Sequence, residues 1–310
     1  MSVGNKEGGN MSRNGKAEKV SVIIPLYNRS DFIRQTVTSV LQQTLSDFRL
    51  YVVDDGSTDN SREIVESIED ERVVVMEHPG GVNKGQSAAI NLGLEAAQGE
   101  YIAILDSDDY WERDKLEIQV DFLEKHPDVG LVYCNGICVD EKNNFLYHIY
   151  KAGHLEHNDP GDVLMDCYFL LPNNSLVRSS LFKTVGGFDE SYRSAQDHDM
   201  AIRISEVTNI AYIDKSVFAY RRHKNSISHK NALLRWRTGF AVLKKAKSRY
   251  PYSSTVIRKR KAVLYFRLGQ CYLENKCYLS SFGSFVMSGL HDPFRALRVL
   301  LGNEKISSPH

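Results

Sequence analysis

Four short runs of β-branched and aromatic residues recur through the first third of the chain, and apolar residues at helical spacing separate them. Val20-Ser-Val-Ile-Ile-Pro25 has the pattern of a buried strand ended by proline. Ser30 and Asp31 stand where they can cap a helix carrying Ile33, Val37, Val40 and Leu41. Leu50 to Val53 predicts the second strand, Ile64, Val65 and Ile68 the second helix, and Val73 to Met76 the third strand. Gly85 to Ala97 reads as a helix with Ala88, Ala89, Leu92 and Ala96 inward, and Tyr101 to Leu105 as the fourth strand. Such alternation predicts right-handed crossovers and a mostly parallel sheet. Ligands of such sheets bind beyond the carboxyl ends of the strands. Pro25 to Asn28, Asp54-Asp55 and Asp106 to Asp109 all fall on that edge.

From Val129 to about Tyr150 the pattern changes to strands without clean helices between them, and after about Ser228 it is helical to the end. With 310 residues, this suggests a leader at 1–18, an α/β core at 19–228 and a helical extension at 229–310. The leader is polar, without the apolar core of a signal peptide, and is expected to be disordered. No apolar run approaches the length of a membrane span, so an intracellular, cytoplasmic protein is expected. Five cysteines without a C-x-x-C pair predict neither a zinc site nor a disulfide framework. The net charge of zero hides a split: from Asn231 onward there are 15 Lys and Arg against 3 Asp and Glu, leaving 24 against 36 before it.

Asp106-Ser107-Asp108 follows an apolar strand, where carboxylates can hold a hard cation such as Mn²⁺ or Mg²⁺, or merely cap a turn. Asp55 can read the N–H of a pyrimidine base, and Asp59 can cap the next helix. Gly80 to Ser87 nearly matches a P-loop, but Gln86 replaces the lysine; no G-x-G-x-x-G follows a strand. His223 reads as a metal or phosphate ligand, or as an ordinary structural histidine.

The ordered set is more specific than any member. Val20 to Arg29, Val52 to Asp59, Asn83 to Asn91, Gly99 to Asp109, Gly186 to Glu190 and Gln196 to Asp199 together resemble family 2 of the glycosyltransferases. The resemblance spans about Val20 to Ser228. It implies an α/β GT-A fold, a C-terminal helical extension beyond it, and inversion at the anomeric carbon. By position it implies that Pro25, Tyr27, Arg29 and Asp55 hold the nucleobase and ribose, with Lys84 towards the diphosphate. Asp106, with Ser107 beside it, would face the ribose; Asp108 and His223 would bind Mn²⁺ or Mg²⁺. Gly187, Phe188 and Asp189 would form the loop facing acceptor and donor sugar, and Asp197 would be the general base. The residue before that base is Gln196, where the family has glutamate.

The activity implied is transfer of a sugar from a nucleoside-diphosphate sugar, UDP-linked first and dTDP-linked second, to a hydroxyl of a glycan, lipid-linked or protein-linked acceptor. A nucleotidyltransferase would carry a Gly-rich loop after the first strand, and Pro25 to Arg29 has no glycine. A non-catalytic carbohydrate-binding relative would be expected to lack Asp108 or Asp197, and both are present. In the tail, Ala262 to Pro293 fits one tetratricopeptide-like unit and, equally, two plain amphipathic helices. Arg258-Lys-Arg-Lys261, with Lys244, Lys245, Lys247 and Arg249, predicts a basic surface for an anionic membrane at its inner face, or a plain solvated face. No nucleic-acid motif accompanies that charge, so no nucleic-acid partner is expected.

Overall fold

The computed structural model describes residues 18–156, 158–165, 172–223 and 232–300. The leader expected at 1–18 lies almost entirely outside them. Strand β1 (Val20–Leu26) is buried along its whole length, because both faces of the sheet are covered. Val20, Val22, Ile24 and Leu26 enter one apolar cluster, and Ile23 enters the other. This is the period-two alternation of a central strand. β2 (Phe48–Asp54) and β4 (Tyr101–Ile104) flank β1 in parallel, and β3 (Val73–Glu77) lies parallel outside β2. Helices α1 (Ile33–Leu41), α2 (Ser61–Glu66) and α3 (Gln86–Ala96) are the crossovers. The first four strands thus pair as the sequence pattern predicts.

The second half departs from a mostly parallel sheet. The order continues from β4 to β8 (Ser175–Arg178), β6 (Val129–Val139), β9 (Asn209–Arg221) and β5 (Tyr110–Trp111), with β7 (Phe145–His148) beside β6. β8 runs antiparallel to both neighbours, as does β5 to β9 and β7 to β6; only β6 and β9 pair in parallel here. A 3₁₀ turn at Pro172–Asn174 directly precedes β8. The sheet as a whole is therefore mixed.

Two local expectations need correction. Neither Ser30 nor Asp31 caps α1; the carbonyl of Arg29 accepts from the amides of Phe32 and Ile33, and the Ser30 amide donates to Asp59. A helix unread in the sequence, α4 (Lys115–Lys125), packs Leu116, Val120 and Leu123 under the sheet. The remaining core helices are α5 (Pro160–Met165), α6 (Ser179–Val185) and α7 (Gln196–Ser205).

The C-terminal helices share the core. α8 (Ala232–Arg249) contributes Trp236, Val242, Leu243 and Ala246, and α9 (Ser254–Glu274) contributes Ile257, Leu264 and Leu268 to the cluster that contains Ile102 and Met200. α10 (Tyr278–His291) folds back on α9 as a hairpin, followed by α11 (Pro293–Leu300). The small residues at the repeat-like positions make the close contact. Ser281 Oγ donates to the carbonyl of Gly269 and Ser288 Oγ to that of Ala262, both at 2.8 Å.

The basic surface expected at 258–261 is only partly there. Arg260 is buried, with its guanidinium on the carbonyl of Met165 at 2.8 Å. Lys245 is paired with Asp189 and Arg249 with Glu206. Among the described residues no helix is long and apolar enough to cross a membrane.

Candidate active site

The loops after β1 and β2 are tied to each other at the carboxyl edge of the sheet. Asn28, with φ of 50°, accepts from the amide of Thr58 (2.7 Å), while its own amide donates to Ser57 Oγ (3.1 Å). Gly56 is held at φ of 74°, and a Cβ there would lie 2.7 Å from the carbonyl of Gly81. This clamp leaves Pro25 buried in β1 and Tyr27 43% exposed beside it, so an aromatic face stands open at the place expected for a base.

Asp55 is placed differently from an open base-reading group. Its carboxylate is buried and accepts from the backbone amides of Lys84 (2.7 Å) and Gly85 (2.8 Å). It thereby fixes the turn into α3, leaving only the lone pairs those amides do not use for a base. The Lys84 side chain is exposed and its carbonyl accepts from Arg193 Nη1 at 2.7 Å. Gly85 adopts φ of 96°, and a Cβ there would strike Arg193.

The turn after β4 gathers three carboxyl groups, Asp109 buried and Asp106 and Asp108 half-buried. Asp106 accepts from Gln86 Nε2 (2.7 Å) and Asn173 Nδ2 (3.1 Å). Burial and the charge of Asp108, against the Asn173 hydrogen bond, push its carboxyl up to about 7. Ser107 is buried, its carbonyl accepting from Thr36 Oγ1. Asp108 Oδ2 lies 2.9 Å from Arg29 Nε and 2.8 Å from His223 Nε2. Burial raises this carboxyl, but His223 and Arg29 outweigh it and hold it below the usual range. Asp109 accepts from Asn173 Nδ2 (2.5 Å) and the Arg221 amide (2.7 Å), and is raised well above the usual range by burial and its two neighbours.

Asp197 lies in the first turn of α7, next to Ala195, which is held at φ of 63°. Among the described residues no hydrogen-bond donor engages its carboxylate. It borders an apolar cavity lined by Ile102, Leu131, Phe182, Phe188 and Met200, and its charge is felt at Asp106. Gln196 Nε2 donates to Gln86 Oε1 (2.7 Å), and Gln86 in turn donates to Asp106. A chain of amides therefore runs from the start of α7 to the carboxylates of the β4 turn. Asp199 faces away, in a buried pair with Arg203 at 2.9 Å.

The Gly187-Phe188-Asp189 loop is held by Asn91, which accepts from the Phe188 amide (2.7 Å) and donates to the Phe188 carbonyl (2.9 Å). A Cβ at Gly187 would lie 2.6 Å from Asn91 Oδ1. Phe188 closes the cavity beside Asp197, whereas Asp189 turns to Lys245 of α8. Sequence reading missed Gln86 as a site residue, and also Asn91, Asn173 and Arg221. Arg221 lies buried against the Asp108 carbonyl and over the ring of Phe32.

Asp108 and His223 fit a divalent ion. A carboxylate oxygen and an imidazole nitrogen converge there, a donor pair suited to Mn²⁺ and, through oxygen, to Mg²⁺. The crowding that pushes Asp106 up to about 7 is one that a dication relieves. Among the described residues no group of three His, Cys, Asp or Glu is gathered for a metal, so the protein supplies only part of a shell.

This mixed sheet with its acidic β4 turn is of GT-A type, the fold of nucleotide-sugar transferases. Residues 21–186 match the model of Glycosyl transferase family 2, more than half of the chain, and the chain belongs to that family. An uncharacterised glycosyltransferase of Rickettsia felis is 34% identical over 203 residues, 66% of this chain and 33% of the relative. The chain thus spans about a third of the length of that curated relative. S. aureus TarS 1–349 in complex with UDP-GlcNAc superposes with a TM-score of 0.64 at 20% identity, covering 87% of this chain and 81% of that one. A mannosyltransferase from Pyrobaculum calidifontis, in complex with GDP-Man and Mn²⁺, gives 0.60 at 19% identity, covering 93% and 80%.

Proposed function

We propose that the chain is an inverting glycosyltransferase moving a sugar, hexosyl or N-acetylhexosaminyl, from a nucleoside-diphosphate sugar to an acceptor hydroxyl. The observation that carries this is the meeting of Arg29, Asp108 and His223 at one sheet edge, joined through Asp106, Gln86 and Gln196 to the turn that presents Asp197. UDP is the favoured nucleotide, with dTDP next; the complex of the structurally similar TarS with UDP-GlcNAc supports the choice. The acceptor is a glycan, a lipid-linked glycan or a protein. Residues 19–228 would form the catalytic unit and 229–310 a C-terminal extension, whose helices α8 and α9 pack on the core.

Asp197 accepts the proton of the acceptor hydroxyl as its oxygen attacks the anomeric carbon, and the bond to the diphosphate breaks on the opposite face. No enzyme nucleophile is needed for this displacement. Asp108 and His223 would hold Mn²⁺ or Mg²⁺, which when bound supplies positive charge to the departing diphosphate. Arg29 adds a fixed cation on the same side. Phe188 and the apolar cavity keep water from the anomeric carbon. The complex with Mn²⁺ in the structurally similar mannosyltransferase supports the metal. A cytoplasmic place of action, peripheral to the inner membrane face, belongs to the same proposal.

Calorimetric titration with UDP, dTDP and GDP, with and without Mn²⁺, tests the reading. UDP binding that strengthens with Mn²⁺ and slow hydrolysis of a UDP-sugar are expected. Failure of all three nucleotides to bind in either condition would overturn it.

A further inference from the structure

Helix α10 is built inside out. Its small polar residues Ser281 and Ser288 face α9 and bond to the carbonyls of Gly269 and Ala262. Phe285 packs on Gly269 and Phe266 of α9, but the other large apolar residues face away: Leu279 is 91% exposed, Phe282 71% and Leu290 72%. On α11, Phe294 and Leu297 continue the same character at 79% and 54% exposure. A water-facing helix normally shows the reverse arrangement, and a contiguous apolar surface of this kind marks a contact with something else.

The charge around this face says what that something is. No charged residue lies between Lys276 and His291, so the face itself is neutral. Its rim is basic. Arg258 reaches the carbonyl of His291 at the end of α10, and Lys261 acts on the same histidine. Arg295 and Arg298 lie on α11 beside the apolar residues. From Asn231 onward only 3 acidic residues oppose 15 basic ones. Two copies meeting through this face would bring like-charged rims together, which disfavours self-association. An anionic lipid surface is complementary to both parts, as apolar side chains enter the acyl boundary and the basic rim meets the headgroups.

We propose that α10 and α11 seat the protein on anionic phospholipid, lying in the interface with Leu279, Phe282, Leu290, Phe294 and Leu297 inserted. This moves the membrane contact from the basic run at 258–261, where Arg260 is buried, to the apolar face beyond it. It deepens the peripheral location proposed above but is independent of the sugar chemistry.

The test is flotation of the full chain with vesicles of equimolar phosphatidylcholine and phosphatidylglycerol, beside vesicles of phosphatidylcholine alone. The triple variant Leu279→Ser, Phe282→Ser, Leu290→Ser is compared, and its melting is checked first because these side chains are exposed. The wild type is expected to float with the mixed vesicles and about tenfold or more less with the neutral ones. The triple variant is expected to partition about 1,000-fold more weakly, since each of the three inserted side chains contributes about tenfold. A second variant, Arg295→Gln with Arg298→Gln, is expected to lose binding mainly at low salt. Wild-type protein that does not float, or a triple variant that floats equally well, overturns the proposal. So does a dimer in light scattering that the triple substitution dissolves. Hydrolysis of a UDP-sugar in solution, measured in parallel, is expected to be unchanged in the triple variant, so failure here is distinct from failure of the transferase reading.

Discussion

Asn173→Ala should be among the most damaging single changes in the molecule, although no motif points to the residue. Asn173 is buried and sits between two carboxyl groups, donating to the half-buried Asp106 at 3.1 Å and to the buried Asp109 at 2.5 Å. Its Oδ1 also accepts from the Asp106 amide at 2.6 Å. Alanine leaves two carboxyl oxygens and one amide without that partner. A hydrogen bond to a charged group contributes roughly 1.5–3 kcal/mol and one between neutral groups about 1 kcal/mol. With the lower charged-group value for each carboxyl and the neutral value for the amide, the loss should be about 4 kcal/mol. Urea unfolding followed by far-UV circular dichroism measures it, with Asn173→Ser as a milder comparison that keeps one donor. A loss below about 1 kcal/mol with an unchanged denaturant slope would show that the turn does not depend on this amide. In that case Asp106 and Asp109 find other donors when it is removed.

Asp197→Asn should leave nucleotide affinity within about threefold but lower turnover by roughly 10²–10⁴, and near wild-type turnover would remove it as the base. Asp108→Asn, and likewise a chelator on the wild type, should weaken UDP binding by roughly 10–100-fold; calorimetry that shows no change in either case refutes the metal assignment. His198 is buried, and burial pushes it down to about 4 from an ordinary 6.5. Its folded value is depressed, so the stability it contributes as a neutral ring is present above 6.5 and is lost as pH falls from there towards 4. The melting temperature should fall across that window, and His198→Gln should flatten the fall.

The parallel half of the sheet was legible because β1, β2 and β4 are largely buried on both faces and so read as runs rich in β-branched residues. Val20 to Leu26 is such a run, and it pairs in parallel with β2 and β4. The antiparallel half was not, since β5 has only two residues and β7 and β8 only four each, too short to show a period. Asp108, Asp197 and His223 were singled out because their order along the chain resembles a family pattern. Gln86, Asn91 and Asn173 were not, since a polar residue that joins distant segments leaves no periodic mark on its own segment. Asn91 sits in a helix of alanines and leucines, and only its pairing with Phe188 reveals it. In the tail, counting charges gave the right sign for the surface but could not tell Arg260, turned inward onto a carbonyl, from Arg258.

The substitution of Gln196 for the glutamate expected beside the base follows from the charges around it. Asp106, Asp108 and Asp109 already crowd one turn, and the charge of Asp197 adds to the rise at Asp106. A glutamate at 196 would bring another negative charge to that group and could not donate to Gln86 Oε1. Gln86 would have to reverse its amide to donate towards residue 196, and its oxygen would then face the carboxyl of Asp106. With glutamine, both amides point their donors the same way, from α7 through Gln86 to Asp106. The donor facing Asp106 is thus fixed by a residue on the helix that carries Asp197. The turn after β4 and the first turn of α7 are joined there by hydrogen bonds between amides, which add no further charge to the carboxylates already gathered at this edge.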